Sequence, residues 1–313
     1  MREKLSLVEE ELARALSADT EPRVLYKAST HLIRSGGKRL RPILTLIACE
    51  AVRGDFMKAL PPASAIELIH TASLIHDDLI DGDLKRRGSS TVHVEYGRGV
   101  AMLSGDLLLS KAMRILSSSP SRIRRIISQA CVEMCEGEYM DVVFKKHPEA
   151  VTEADYLEMV RKKTGALVKA AAECGGIVGG GSDRQILALA EYGESVGLSL
   201  QLRDDLREIL AVKLRSTTLT SNCLLGEGSN LVLIHSFRNS NKSSQDFIRR
   251  LVTSSSNYRQ VQEAIDFFKD SASIQHVQRL SEYFEAAAKK AVAGMNFSNQ
   301  KIFEDLAELV SSY

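Results

Sequence analysis

Along most of the chain, apolar residues recur at intervals of three and four. Leu68 and Ile75 stand two turns apart with Ile69 and Leu74 beside them, and Leu103 and Leu107 stand four apart, Met113 and Leu116 three apart. That spacing lines one face of a helix. It predicts helices at about 2–17, 22–34, 42–54, 62–81, 98–117, 121–142, 152–178, 183–211, 245–252, 258–268, 272–294 and 299–311. Pro42 and Pro62 fall in the first turns of their helices, where a missing N–H costs no bond. All six prolines (Pro22, Pro42, Pro61, Pro62, Pro120 and Pro148) lie in the first half, so the second half contains no obligatory helix breaker. Strand signals are weak, because aromatics make up only 5% of the chain and tryptophan is absent. No fixed-period repeat or low-complexity tract interrupts the pattern. The Ser/Thr/Asn-rich stretch from about 216 to 244 comes nearest to a linker. These signs predict one all-α domain over residues 1–313, with about a dozen helices.

Composition narrows the function classes. With 313 residues, 44% of them hydrophobic, the chain can bury a large core. A net charge of +1 predicts no bulk attraction to nucleic acid or to an anionic membrane, so any electrostatic function must come from local clusters. No uncharged apolar stretch reaches transmembrane length. The opening "MREKLSLVEEELARAL" has no signal-peptide apolar region. Cys49, Cys131, Cys135, Cys174 and Cys223 are odd in number and scattered. Both points predict a reduced, cytoplasmic protein. Cys131 and Cys135 are four apart, but no second Cys or His pair follows at zinc spacing, so both are expected to be buried apolar thiols.

The local clusters are acidic and basic. In "SLIHDDLIDGDLKRRG", Asp77 and Asp81 project from one helix face a turn apart, with Asp78 beside them. Like charges at that spacing repel, and at a helix C-terminus the macrodipole adds to the penalty. A solvated helix end would explain one such motif. A second, "LQLRDDLREIL", places Asp204, Asp205 and Glu208 on another helix, with Gln201 a turn earlier. Two ladders of hard oxygen ligands suit magnesium bridging to a phosphate-bearing substrate. "SGGKRLRP" supplies Lys38, Arg39 and Arg41 on a glycine-flexible approach suited to wrapping an anion. His70 lies on the Asp77 helix, Arg86 and Arg87 follow the first ladder, and "RKKTGALVKAA" adds Lys163 and Thr164.

The ordered set "GGKRLRP", "IELIHTASLIHDDLIDGDLKRRGSSTVH", "LSGDLLLSKA", "CEGEYMD", "RKKTGAL" and "GLSLQLRDD" resembles the trans-type isoprenyl diphosphate synthases over almost the whole chain. The resemblance implies a helical bundle with a central active-site cavity. It also implies condensation of isopentenyl diphosphate with an allylic diphosphate. By it, Asp77, Asp78 and Asp81 bind magnesium on the allylic diphosphate, and Asp204, Asp205 and Glu208 bind it from the opposite side. Arg86, Lys163, Thr164 and Gln201 would hold the allylic substrate, while Lys38, Arg41, His70 and Arg87 would hold the diphosphate of isopentenyl diphosphate. Members usually dimerise, which implies a homodimer or a heteromer with another prenyl synthase. In such enzymes bulky aromatics just before the first ladder accompany short products. Ala72 and Ser73 are small here, which points to a geranylgeranyl-length or longer product.

The chain departs from that pattern after the second ladder. Glu208 replaces the last aspartate, Thr218 and Cys223 stand where Lys and Asp are expected, and Gly228, Asn230 and Val232 where Lys, Thr and Pro are expected. Losing one transition-state charge contact costs about two to three orders of magnitude in rate. Lys213 and Arg215 are the candidates to substitute. An active synthase is the leading reading. The eroded tail keeps a low-activity or regulatory subunit open, and a class I terpene cyclase is disfavoured by the second diphosphate set of Lys38, Arg41 and His70.

Overall fold

The three-and-four periodicity is realised as helix nearly throughout. The computed structural model describes residues 2–17, 21–146, 148–211, 229–253 and 258–312. In chain order, α1 (Arg2–Ser17), α2 (Arg23–Arg34) and α3 (Leu40–Ala51) lead through a 3-10 turn at Phe56–Ala59 to α4 (Leu60–Asp81). A small antiparallel hairpin, β1 (Lys85–Arg86) and β2 (Ser89–Ser90), precedes α5 (Val92–Tyr96), α6 (Arg98–Leu116) and α7 (Ser121–Lys146). Next come α8 (Glu153–Val160), a π-helical turn at Arg161–Gly165, α9 (Ala166–Val178) and α10 (Asp183–Ala211). The chain closes with α11 (Leu231–Arg238), α12 (Lys242–Thr253), α13 (Tyr258–Asp270), α14 (Ser273–Val292) and α15 (Lys301–Ser312). Among the described residues no helix is long and apolar enough to cross a membrane.

The contacts group into two compact units. The first comprises Met1–Val132, Leu167–Gly193 and Ala291–Ile302; the second Glu133–Ala166, Glu194–Lys290 and Phe303–Tyr313. In the first unit α4 packs against α6, α3 and α1. It is buried nearly all round, through Ala63, Ile66, Leu68, Ile69, Ala72 and Ile75 among others, as expected for a helix apolar on every face. Gly82, at φ 73°, ends it in the left-handed conformation that glycine adopts without a Cβ clash. The Asp83 N–H returns to the Asp78 carbonyl at 3.0 Å, so the chain turns sharply just after the acidic residues.

The second unit has its own core. Tyr156, Met159 and Val160 of α8 meet Leu198, Leu202, Leu206 and Ile209 of α10, Leu231 to Ile234 of α11, and Ala264, Ile265 and Phe268 of α13. Helix α11 lies inside the stretch that came nearest to a linker, of which residues 229–244 are described. It is eight residues long, too short to show a helical period, yet it buries Leu231, Val232, Leu233 and Ile234 in a continuous run. The hairpin, α5 and the π turn inside 152–178 were likewise invisible to a periodicity reading, each being five residues or fewer. Cys49 and Cys174 are buried as expected, and burial pushes the Cys49 thiol up to about 11. Cys135 is exposed and Cys131 only half-buried, because both lie on α7 away from its buried positions. Residues 212–228, which include Lys213, Arg215, Thr218, Cys223 and Gly228, lie outside the described residues.

Helices α3 and α9 approach through a glycine. A Cβ built at Gly175 would overlap the Thr45 carbonyl oxygen and come within 2.8 Å of the Ala48 Cβ. In an exposed helix, Gly→Ala stabilises by about 1 kcal/mol. Here the overlap reverses the sign, so Gly175→Ala is expected to destabilise by about 1–3 kcal/mol. Urea unfolding checks this, and an unchanged or raised midpoint contradicts the close approach.

Candidate active site

The first acidic ladder forms the last turn of α4, and the hairpin supplies its counter-charge. Arg87 (φ 53°) and Gly88 (φ 81°) form the two-residue turn, both in the left-handed region, as a tight hairpin with right-handed twist requires. The turn folds Arg86 back along the helix end. Its Nε donates to Asp78 Oδ1, its Nη2 donates to Asp77 Oδ2 at 3.4 Å, and Asp83 Oδ2 lies 3.6 Å away. One guanidinium thus faces three carboxylates. Asp78 is 1% exposed, and burial pushes its carboxyl up to about 6 despite Arg86, with Asp77 and Asp83 adding to the rise. Its second oxygen, Oδ2, is buried without a hydrogen-bond partner.

The first unit also gathers a cationic set. Arg41 Nη1 donates to His70 Nε2 at 3.2 Å. Burial, then the neighbouring Arg41, Arg87 and Arg86, hold His70 well below the usual histidine range, so the ring is neutral. Arg87 donates to the Gly36 carbonyl, and its guanidinium lies where a Cβ on Gly37 would stand. Lys38 is exposed on the same loop. Arg39 does not belong to this set, although the sequence grouped it there. Its side chain is wholly buried and bonds Glu67 Oε1 (2.9 Å), Glu9 Oε1 (2.7 Å) and the Ile33 carbonyl (2.7 Å). Burial would lower the Arg39 pKa, but Glu9 and Glu67 outweigh it and raise it. Arg39 is therefore an internal strut with its charge already satisfied, and its acidic partners gave no local signal in the sequence.

The second unit holds the other ladder. On α10, Asp204 is exposed and accepts from Arg207. Asp205 points inward: Tyr156 Oη donates to its Oδ2 at 2.5 Å, the Leu231 N–H to the same oxygen at 2.9 Å, and Gln201 Nε2 to its Oδ1 at 3.3 Å. Burial still pushes Asp205 up to about 7, against the lowering effect of those donors. Thr164 Oγ1 donates to Gln201 Oε1 at 3.1 Å, which links the π turn to the ladder. Lys163, in that turn, reaches Asp141 Oδ2 at 2.7 Å and Glu138 Oε2 at 2.8 Å. A π turn inserts an extra residue and so re-aims the side chains that follow, which is why such turns concentrate at functional sites. Burial acts to raise Asp141, but Lys163 and Lys145 outweigh it and hold the carboxyl low. Tyr156 was not singled out by the sequence; Asp141 lay inside the motif "CEGEYMD", and Asn230 was named only as a departure from the family pattern.

The donor chemistry fits a hard cation. The ladders offer carboxylate oxygens, and the lone buried Oδ2 of Asp78 is an acceptor with nothing to accept from. Among the described residues no three such side chains already converge as a closed metal cage. Magnesium is such a hard cation, held by one or two carboxylates together with substrate phosphates.

Comparison with known proteins agrees with this geometry. Residues 22–268 match the polyprenyl synthetase family. Geranylgeranyl diphosphate synthase of Methanosarcina mazei is 42% identical over 224 residues, 70% of this chain and 69% of that one. A short chain isoprenyl diphosphate synthase of Methanothermobacter thermautotrophicus is 37% identical over 308 residues, 93% of this chain and 94% of its own. The crystal structure of geranylgeranyl pyrophosphate synthetase from Pyrococcus horikoshii superposes with a TM-score of 0.91 at 35% identity, covering 99% of this chain and 96% of that one. Such all-helical carboxylate-bearing scaffolds define a class, the isoprenoid synthases. This chain belongs to the polyprenyl synthetase family within it and is a prenyltransferase.

The raised carboxyls make stability depend on pH. An aspartate whose folded pKa exceeds its unfolded value binds more protons when folded, so stability falls as pH rises between the two values. For Asp205 that window runs from about 4 to about 7. Each pH unit across the window costs about 1.4 kcal/mol, so without added divalent cation Asp205→Asn is expected to remove about 3–4 kcal/mol of the decline. Urea unfolding at several pH values checks this. A variant with the wild-type slope contradicts the buried, proton-holding Asp205.

Proposed function

We propose that this chain condenses isopentenyl diphosphate with an allylic diphosphate, head to tail and trans, and releases pyrophosphate. The observation that carries the reading is the separation of charges in the first unit. An acidic ladder braced by Arg86 is distinct in its residues from a mainly cationic set of Lys38, Arg41, Arg87 and neutral His70, which the buried Glu67 also faces. A carboxylate ladder calls for a metal-bound diphosphate, and a cationic set for a bare one. A class I cyclase, with one diphosphate substrate, has no use for the second set.

Magnesium is the cation that each ladder suits: in the first unit Asp77, Asp78 and Asp81 of α4 would hold it, and in the second Asp204 and Glu208 of α10 would, with the buried Asp205 behind them. When bound, it neutralises charge on the departing pyrophosphate. The chain's own residues do the rest. Beside the first ladder Arg86 would add a cationic contact to a diphosphate, and beside the second Lys163 would add one while Thr164 and Gln201 would supply neutral ones. Holding the double bond of isopentenyl diphosphate against the allylic carbon supplies the alignment that replaces a side-chain nucleophile. The apolar faces keep water from the carbocation.

Product length follows from space beneath the first ladder. Ala72 is buried and Ser73 half-buried, with Ser73 Oγ donating to the His70 carbonyl at 2.9 Å. Small residues here leave room for a tail, and each further buried methylene contributes about 0.8 kcal/mol. A product of geranylgeranyl length or longer is the reading this supports. A homodimer is supported by the exposed apolar side chains of Met102, Leu103 and Met113 along α6, a row that a second copy would cover. A cytoplasmic location belongs to the same reading, supported by the scattered, odd-numbered cysteines.

The second reading, a low-activity or regulatory subunit, is favoured by the departures at Gly228, Asn230 and Val232. One assay separates the two. The purified chain is incubated with isopentenyl diphosphate and allylic starters of increasing length, with and without magnesium, and the products are sized by mass. Magnesium-dependent products of twenty carbons or more are expected, with Asp77→Ala reducing turnover by about two to three orders of magnitude. Full activity of Asp77→Ala contradicts prenyl transfer at this ladder, and no turnover by the wild-type chain alone favours the subunit.

A further inference from the structure

The departures after the second ladder include a new contact. Asn230, 2% exposed, is the residue just before α11, and its amide serves both ends of a local network. Its Oδ1 accepts from the Val232 N–H at 2.9 Å and so caps the helix, as an asparagine at that position does well. Its Nδ2 donates to the Asp205 carbonyl at 3.1 Å and to Glu208 Oε2 at 3.1 Å. The residues on either side are pinned as well. The Ser229 N–H donates to Asp141 Oδ1 at 2.8 Å, and the Leu231 N–H to Asp205 Oδ2 at 2.9 Å. Three consecutive residues thus tie the start of α11 to Asp141, the partner of Lys163, and to the second ladder.

The two altered positions meet in this contact. Where the family pattern has Thr, this chain has Asn230; where it has the last Asp, this chain has Glu208. A threonine hydroxyl can cap the helix but carries no amide to offer a carboxylate. Glutamate is one methylene longer than aspartate, and here its carboxylate lies on the Asn230 amide.

We propose that Asn230 is a positioning residue of the second ladder, capping α11 with its carbonyl oxygen while its amide orients the Glu208 carboxylate. Asp205, engaged by Tyr156, Leu231 and Gln201, anchors the arrangement from inside, and Asp204 and Glu208 are the members of the ladder less deeply buried. This deepens the prenyl-transfer reading and rests on it for the ladder's purpose.

Two variants keep the cap and alter the amide: Asn230→Thr removes the donor, and Asn230→Asp replaces it with a charge that repels Glu208. Binding of Mn²⁺ in the presence of inorganic pyrophosphate, followed by calorimetry, is expected to weaken roughly 10-fold in Asn230→Thr, as for other residues that orient metal ligands. It is expected to weaken further in Asn230→Asp. The melting temperature reads the contact independently. Asn230→Thr is expected to lower it by roughly 2–4 °C in the wild-type background and by less in Glu208→Ala, where the contact is already gone. Equal losses in both backgrounds, or Mn²⁺ binding unchanged in both Asn230 variants, overturns the proposal. A wild-type chain without prenyl transfer counts against the proposed activity, and these two readouts then still decide the role of Asn230.

Discussion

The constraint on which the site depends is the burial of a carboxylate, Asp78, with one oxygen left without a donor. Asp77, Asp78 and Asp83 share Arg86, and Asp78 is sealed from water with one oxygen unsatisfied. Burying a charge without full pairing is expensive, so the group holds its proton more tightly instead. The folded chain is therefore arranged at some loss of stability around a charge that only a ligand can complete. Helix α4 makes this possible. Its body is buried on every side and ends abruptly at Gly82, which fixes the acidic turn without help from the acidic residues themselves.

The second unit meets the same constraint differently. There the most buried carboxylate, Asp205, is also pushed up by burial, but protein donors reach both of its oxygens and it serves as an anchor, while Asp204 lies exposed. Tyr156 and the start of α11 belong to the packed core, so the position of the ladder is coupled to core packing and not to a surface loop. Lys163 is tied into the same frame through Asp141, whose other oxygen receives the Ser229 N–H.

Much of the fold was legible because long helices announce themselves by period. The helices expected at 2–17 and 183–211 are observed over those residues, and α4 needed only a two-residue extension at its start. What the sequence concealed was short or non-local. Helix α11 is a single apolar run without a visible period, and the hairpin that aims Arg86 consists of two-residue strands. Within the site, residue types and spacing identified which side chains carry charge but not which charges are already spent. Arg39 looked like its neighbours Lys38 and Arg41, yet Glu67, twenty-eight positions away, and Glu9, thirty away, neutralise it. Asp205 looked like Asp204, yet a tyrosine from α8 and an N–H from α11 turn it inward.

At about pH 6 and below, Asp78 of the first ladder holds a proton that a bound cation would displace. At pH 6, near the raised value of Asp78, metal binding should release that proton. Titrating magnesium into protein with pyrophosphate, in buffers of different ionisation enthalpy, counts protons released per ion bound. The wild-type chain is expected to release about half a proton more than Asp78→Asn, the fraction held at a pH equal to the pKa. Equal release from the two proteins would contradict the account.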